Sequence, residues 1–146
     1  MVLIEAAKEF ARSAAVASQK PPHPAAQWEQ IAELWQEGIN RLKLISVDNP
    51  GYLDAQTKLA QYQKNLGITQ IRLQAEKEST TALQAAKNLF ANLQNNVNSQ
   101  NPGYSLSQLQ QIINQLESVK PGTTVYPESQ KWLQSARKKQ QEWQKK

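Results

Sequence analysis

The sequence predicts an all-α fold of two tandem three-helix units, residues 1–79 and 80–146, sharing a long central helix in an elongated molecule. Three observations predict it. Apolar residues recur three and four apart between breakers, and no window alternates with period two for long enough to argue a strand. Pro and Gly punctuate the chain at Pro21, Pro22 and Pro24, at Asn49-Pro50-Gly51, at Asn101-Pro102-Gly103 and at Pro121-Gly122. The chain also repeats itself. Asn49-Pro50-Gly51-Tyr52 returns as Asn101-Pro102-Gly103-Tyr104. At a separation of 74 residues, Ile39, Asn40, Leu42, Tyr52, Gln56, Leu59 and Lys64 meet Ile113, Asn114, Leu116, Tyr126, Gln130, Leu133 and Lys138. Upstream, Ala6-Ala7-Lys8 and Phe10 meet Ala85-Ala86-Lys87 and Leu89 at a separation of 79.

Helices are expected near 3–18, 24–46 and 52–79 in the first unit, then 81–95, 105–119 and 127–144. The second carries the clearest stripe, Trp28, Ala32, Trp35, Ile39 and Leu42, with Glu29, Glu33 and Glu37 on its polar side and Glu37 four residues before Arg41. Pro24 and Pro127 suit first-turn positions, where a missing N–H costs nothing, and Ser105 with Gln108 reads as a capping box. Asn49-Pro50-Gly51-Tyr52 suits a type II turn, with Pro second and Gly third. No Pro lies between Tyr52 and Gln94, so the third and fourth helices can run as one rod of about 65 Å. Gly67 and Ser79-Thr80-Thr81 are the places where it would bend or break. In the last helix the core face is expected to be Tyr126, Leu133, Ala136 and Trp143. Trp132 aligns with Lys58 and lies about 100° from Leu133 around the helix. It is therefore expected to be at least partly exposed, or, if the second unit has drifted, packed against the long helix.

Composition excludes several functions. A chain of 146 residues can bury about two-thirds of its unfolded surface, enough for a core without staples. With no Cys there is no disulfide scaffold, thiolate zinc site or cysteine nucleophile, and His23, the one histidine, cannot build a histidine metal site alone. The longest uncharged stretch, Asn88 to Leu116, is dense in Asn and Gln and does not read as a membrane span. Met1 to Gln19 carries early Glu5 and Glu9 and reads as a helix, not a signal peptide. The compartment stays undetermined, and a larger or membrane-anchored parent protein is compatible with the sequence. The net charge of +5 belongs to the end of the chain: residues 131–146 hold Lys131, Arg137, Lys138, Lys139, Lys145 and Lys146 against Glu142, and the rest is balanced. A general nucleic-acid surface is thus disfavoured.

No residue group marks a reaction or a cofactor. Glu29, Glu33 and Glu37 have a spacing at which carboxylates share a cation, but solvated helix faces show the same pattern and oxygen sites usually draw on a turn or two elements. His23, in Pro-Pro-His-Pro, has no local partner to activate it, and reads as a loop or near-cap residue. No glycine-rich loop precedes a helix. Trp28, Trp35, Tyr52 and Tyr62 fall on apolar stripes and read as core.

The order of residues from Phe10 to Glu78 resembles an uncharacterised helical repeat of cyanobacterial proteins, carried here by Trp28, Trp35, Ile39, Leu42, Pro50, Tyr52, Ala55, Lys58, Leu59, Tyr62, Gln63, Asn65, Leu66 and Arg72. About half the chain is covered, with a degenerate second copy after it. The resemblance implies a setting, an accessory module in multidomain proteins beside membrane anchors or protease-like domains, and no activity. A fainter likeness to tetratricopeptide repeats runs through Gly38, Leu42, Asp48, Pro50, Leu59 and Ala60, but the helix holding Trp28 and Trp35 is too long for that repeat.

The reading is therefore a non-enzymatic helical interaction or spacer module whose partner is another protein, neighbouring domains of a longer chain, or a second copy of itself. The alternative is weak binding of a polyanion or anionic membrane surface by the basic tail. The partner-binding candidates are Trp132, Arg137, Lys138, Lys139, Trp143, Lys145 and Lys146.

Overall fold

A computed structural model describes residues 2–96 and 102–145. Among them are five helices and no strand: α1 Val2–Ala17, α2 Ala25–Lys43, α3 Tyr52–Asn96, α4 Pro102–Glu117 and α5 Tyr126–Gln144. The fold is all-α. The chain resolves into two compact units, Met1–Gln74 and Ala75–Lys146, and the change falls inside α3.

The third and fourth predicted helices are one unbroken helix of 45 residues. Gly67 does not interrupt it, and neither do Ser79, Thr80 and Thr81. Ser79 is buried, and its Oγ accepts a hydrogen bond from the Lys120 N–H at 3.0 Å. One turn earlier the buried Glu76 carboxylate accepts the Thr124 N–H at 2.9 Å and the Thr124 hydroxyl. Two polar groups that would weaken an isolated helix thus hold the loop between α4 and α5, and that loop satisfies them.

In the first unit, α2 buries Trp28, Ile31, Trp35, Ile39 and Leu42 against Ile4, Ala7 and Ala14 of α1 and Ala55 and Tyr62 of α3. Ile31, not Ala32, completes the α2 stripe. In the second, Ala82, Leu83, Ala86, Phe90 and Leu93 of α3 meet Leu109, Ile112, Ile113 and Leu116 of α4, with Leu133 and Ala136 of α5.

Burial coincides at the separations read from the sequence. At 74 residues the buried pairs include Trp35 with Leu109, Ile39 with Ile113, Leu42 with Leu116, Ile45 with Val119 and Tyr62 with Ala136; at 79 they include Ile4 with Leu83, Ala7 with Ala86 and Ala14 with Leu93. Side-chain volume is exchanged between neighbouring positions. A Cβ on Gly38 would lie 3.3 Å from the Ala7 carbonyl oxygen and 3.3 Å from the Tyr62 ring. Where the first unit sets Gly38 beside Tyr62, the second has Ile112 and Ala136, both buried.

Several local expectations are corrected. Gly122, not Gly51, has positive φ, at 84°, so the left-handed glycine sits in the Pro121-Gly122 turn. Asn49 instead caps α3: its Oδ1 accepts the Gly51 N–H at 2.8 Å and its carbonyl accepts the Tyr52 N–H at 3.0 Å. In the second copy of that motif, Asn101 lies outside the described residues, and Pro102, Gly103 and Tyr104 already form the first turn of α4. Ser105 is therefore a buried residue inside α4 and not its cap. Pro24 is the N-cap of α2, one place before the expected first-turn position, and its carbonyl receives the Gln27 and Trp28 N–H groups.

The volume exchange yields a test by double-mutant cycle. Gly38→Ile is expected to cost about 1–3 kcal/mol by overpacking, and Tyr62→Ala about 3–5 kcal/mol by leaving a cavity. Together they should cost less than the sum by about 1–3 kcal/mol. Urea unfolding of the four proteins measures this, and strict additivity would show that the two positions do not share space.

Candidate functional site

The seven residues singled out on the basic tail do not form one site. Arg137 is spent on Glu117, at 3.0 Å. Lys138 and Lys145 are exposed and, with exposed Lys131, recur every seventh residue along one face of α5 and its C-cap, Lys145. Lys146 lies outside the described residues. Lys139, Trp132 and Trp143 turn the other way, onto the second core. Trp132 is half-buried: it meets Phe90 edge-on with ring centres 5.5 Å apart, and its Nε1 donates to Glu128 at 3.2 Å. The indole is thus partly exposed and also packed against the long helix.

Around Trp132, the Lys87 ammonium pairs with Glu128 and sits 5.9 Å from the indole centre. Hydrogen bonding to Lys87, and secondarily to Trp132, holds the Glu128 carboxyl below its ordinary range against a smaller opposing effect of burial. The first unit has a counterpart in Asp54, paired with Lys58 at 2.8 Å and likewise lowered, first by that hydrogen bond. The Lys87–Glu128 pair joins α3 to α5, whereas Asp54–Lys58 lies within α3.

Two open grooves are the features that sequence reasoning missed. The first, about 400 Å³, is lined by Ala15 of α1, Ser18 and Pro21 of the loop after it, Trp28 and Trp35 of α2, and Asn65, Ile68, Thr69 and Arg72 of α3. Its floor is aromatic and locked from beneath: His23 meets Trp28 edge-on at 5.0 Å, and Trp35 packs on Tyr62 at 5.5 Å, whose phenol is pushed up by burial. Over Trp28 stands the Arg72 guanidinium, 5.4 Å from the ring centre. Ile68 at the rim is 45% exposed. The second groove, about 240 Å³, lies between Phe90, Leu93 and Gln94 of α3 and Lys139 and Trp143 of α5. Here the Lys139 ammonium stands 5.8 Å from the Phe90 ring centre. Two of the residues named from the sequence, Lys139 and Trp143, line it. The missing signal was three-dimensional, since each groove takes residues from helices far apart in sequence. Arg72 alone gave a hint, as a cation on a stretch of α3 with no acid within seven residues before it.

His23 is buried beside the start of α2, with its Nε2 2.8 Å from the Gln19 carbonyl oxygen. Glu29 and Glu33 are exposed, and Glu37 accepts from Arg41 at 2.8 Å. Among the described residues, no three His, Asp or Glu side chains gather as a metal-binding group, and no helix is long and apolar enough to cross a membrane. No family model matches the chain, and neither does any curated protein or solved structure. Fold and geometry together define an all-helical protein of two compact units, each with an aromatic groove edged by a cation.

The Glu128 pair gives a pH-dependent expectation. A carboxyl held low in the folded state adds stability above its ordinary value of 4.5, and the contribution disappears as pH falls through the lowered value. Because the pair is substantially exposed, Glu128→Gln is expected to cost no more than about 1 kcal/mol at neutral pH. Thermal unfolding of both proteins should show that gap shrinking near pH 4.5 and gone below the lowered value. A constant gap down to strong acid would remove the ion pair as its cause.

Proposed function

We propose that this chain is a non-catalytic helical interaction module, two tandem three-helix units that hold a partner protein or neighbouring domains. One observation carries the reading: each unit has an open groove lined by aromatic side chains, with a cation at its edge. Trp and Arg, both in the lining of the first groove, are residue types enriched at interface hot spots. A plain spacer has no need of such openings. The resemblance of residues 10–78 to an accessory repeat of multidomain proteins agrees with this role.

The test compares proteins that differ only in the grooves. Ile68→Glu with Lys139→Glu should reduce at least tenfold, about 1.4 kcal/mol, the recovery of partners held by the wild-type chain in native extract. Circular dichroism should show both proteins equally helical. Equal recovery by the two would count against the grooves as the working surface.

A second reading has its own observation, the exposed row of Lys131, Lys138 and Lys145 on one face of α5 and its C-cap. Such a row suits weak, salt-sensitive attraction to a polyanion or anionic membrane. Lys138→Glu with Lys145→Glu should then abolish retention on heparin and on anionic vesicles at low salt, and undiminished retention would remove this reading.

A further inference from the structure

We propose that each of the two grooves selects an acidic peptide segment of a partner protein: an apolar side chain seats against the groove's aromatic floor while a flanking carboxylate meets its own cation, Arg72 in the first and Lys139 in the second. The inference rests on the interaction-module reading and names the chemistry of the partner.

Size speaks first. At about 400 and 240 Å³ the grooves lie near and below the lower end of the range for small-molecule ligands, about 300–1,000 Å³. One or two side chains fill such a space, which favours anchors on a chain over a free cofactor. The lining decides what kind of side chain. Trp28 and Trp35 at 4% and 7% exposure have little surface left, so an occupant covers their remaining edges and the exposed Ile68, all apolar surface whose removal from water is favourable.

Charge decides what flanks the anchor. Neither lining contains a carboxylate, and each contains one cation standing over an aromatic ring. Among the described residues, neither Arg72 nor Lys139 is in an ion pair, whereas Arg137, two places from Lys139, is. A cation outside any ion pair is open to an incoming anion, and such charge complementarity gives specificity. The arrangement also arises twice from different positions. At the separations that align the units, Lys139 matches Asn65, not Arg72, and Phe90 matches Ala11, not Trp28. Shared ancestry of the two units therefore does not account for a cation over an aromatic in both grooves.

The experiment uses three rhodamine-labelled heptapeptides with a Leu-Leu-Phe centre flanked on each side by two Glu, two Gln or two Lys, titrated with the full chain and read by fluorescence anisotropy. The acidic peptide is expected to bind at least tenfold more tightly than the lysine peptide. Arg72→Glu with Lys139→Glu, checked for unchanged helical content and melting, should invert that order. Equal binding of all three peptides, lost on Ile68→Glu, would overturn the acidic preference while leaving the interaction module standing. Binding by none of them would overturn the inference outright. So would a chain that ignores the peptides but holds phosphatidylglycerol vesicles through Arg72 and Lys139, which would assign the grooves to a membrane surface instead.

Discussion

Everything in this fold depends on α3 remaining helical from Tyr52 to Asn96. Its first half supplies Ala55 and Tyr62 to one core, and its second half supplies Ala82, Leu83, Ala86, Phe90 and Leu93 to the other. Between those stretches α3 also buries Thr69, Glu76 and Ser79, and the last two are polar groups that would be costly to bury alone. The α4–α5 loop repays that cost by donating the Lys120 N–H, the Thr124 N–H and the Thr124 hydroxyl to them. The same contacts fix where α5 begins, and so which of its faces meets the second core. Helix continuity and loop position are one constraint.

Within each unit the same space is filled by different hands. In the first, the Ala residues of α1 lie low and the bulk comes from Trp28 and Trp35 on α2; in the second, Phe90 and Leu93 occupy the places of Ala11 and Ala14, and Leu109 stands where Trp35 does. Gly38 with Tyr62, against Ile112 with Ala136, repeats the exchange at closer range. Interiors are packed to near-crystalline density, so a change of volume at one position is tolerated when a facing position changes the other way. That is how two stretches so different in sequence place buried positions at the same separations.

Legibility followed the range of the interactions. The all-helical fold, the breakers and the buried stripe were readable, because periodicity and Pro or Gly are local signals. The turn at Asn49-Pro50-Gly51 misled, since Asn49 uses its side chain as a helix cap and so removes the need for a left-handed glycine. Ser105 misled in the opposite sense: α4 starts at Pro102, which turns a plausible cap into a core position. Glu76 was invisible because its partner lies 48 residues away. Of the candidate site, Lys139 and Trp143 were found through a charge run that had nothing to do with the groove they line, and the first groove was hidden because Trp28 and Trp35 carry every mark of core residues.

Those marks were not wrong, and the two roles are compatible for a physical reason. An indole is large enough to bury one edge in a core and leave another at an opening. At the first groove the position beside it on α1 is the small Ala15, and the α3 side presents Asn65 and Thr69 in place of bulk. The Thr69 hydroxyl donates to the Asn65 carbonyl at 2.9 Å, so the wall has that polar group satisfied without any occupant. The groove therefore stands open without an unpaired hydroxyl and without loosening the core beneath it. A larger residue at Ala15 would fill the groove and take away the apolar recess beside the Arg72 charge.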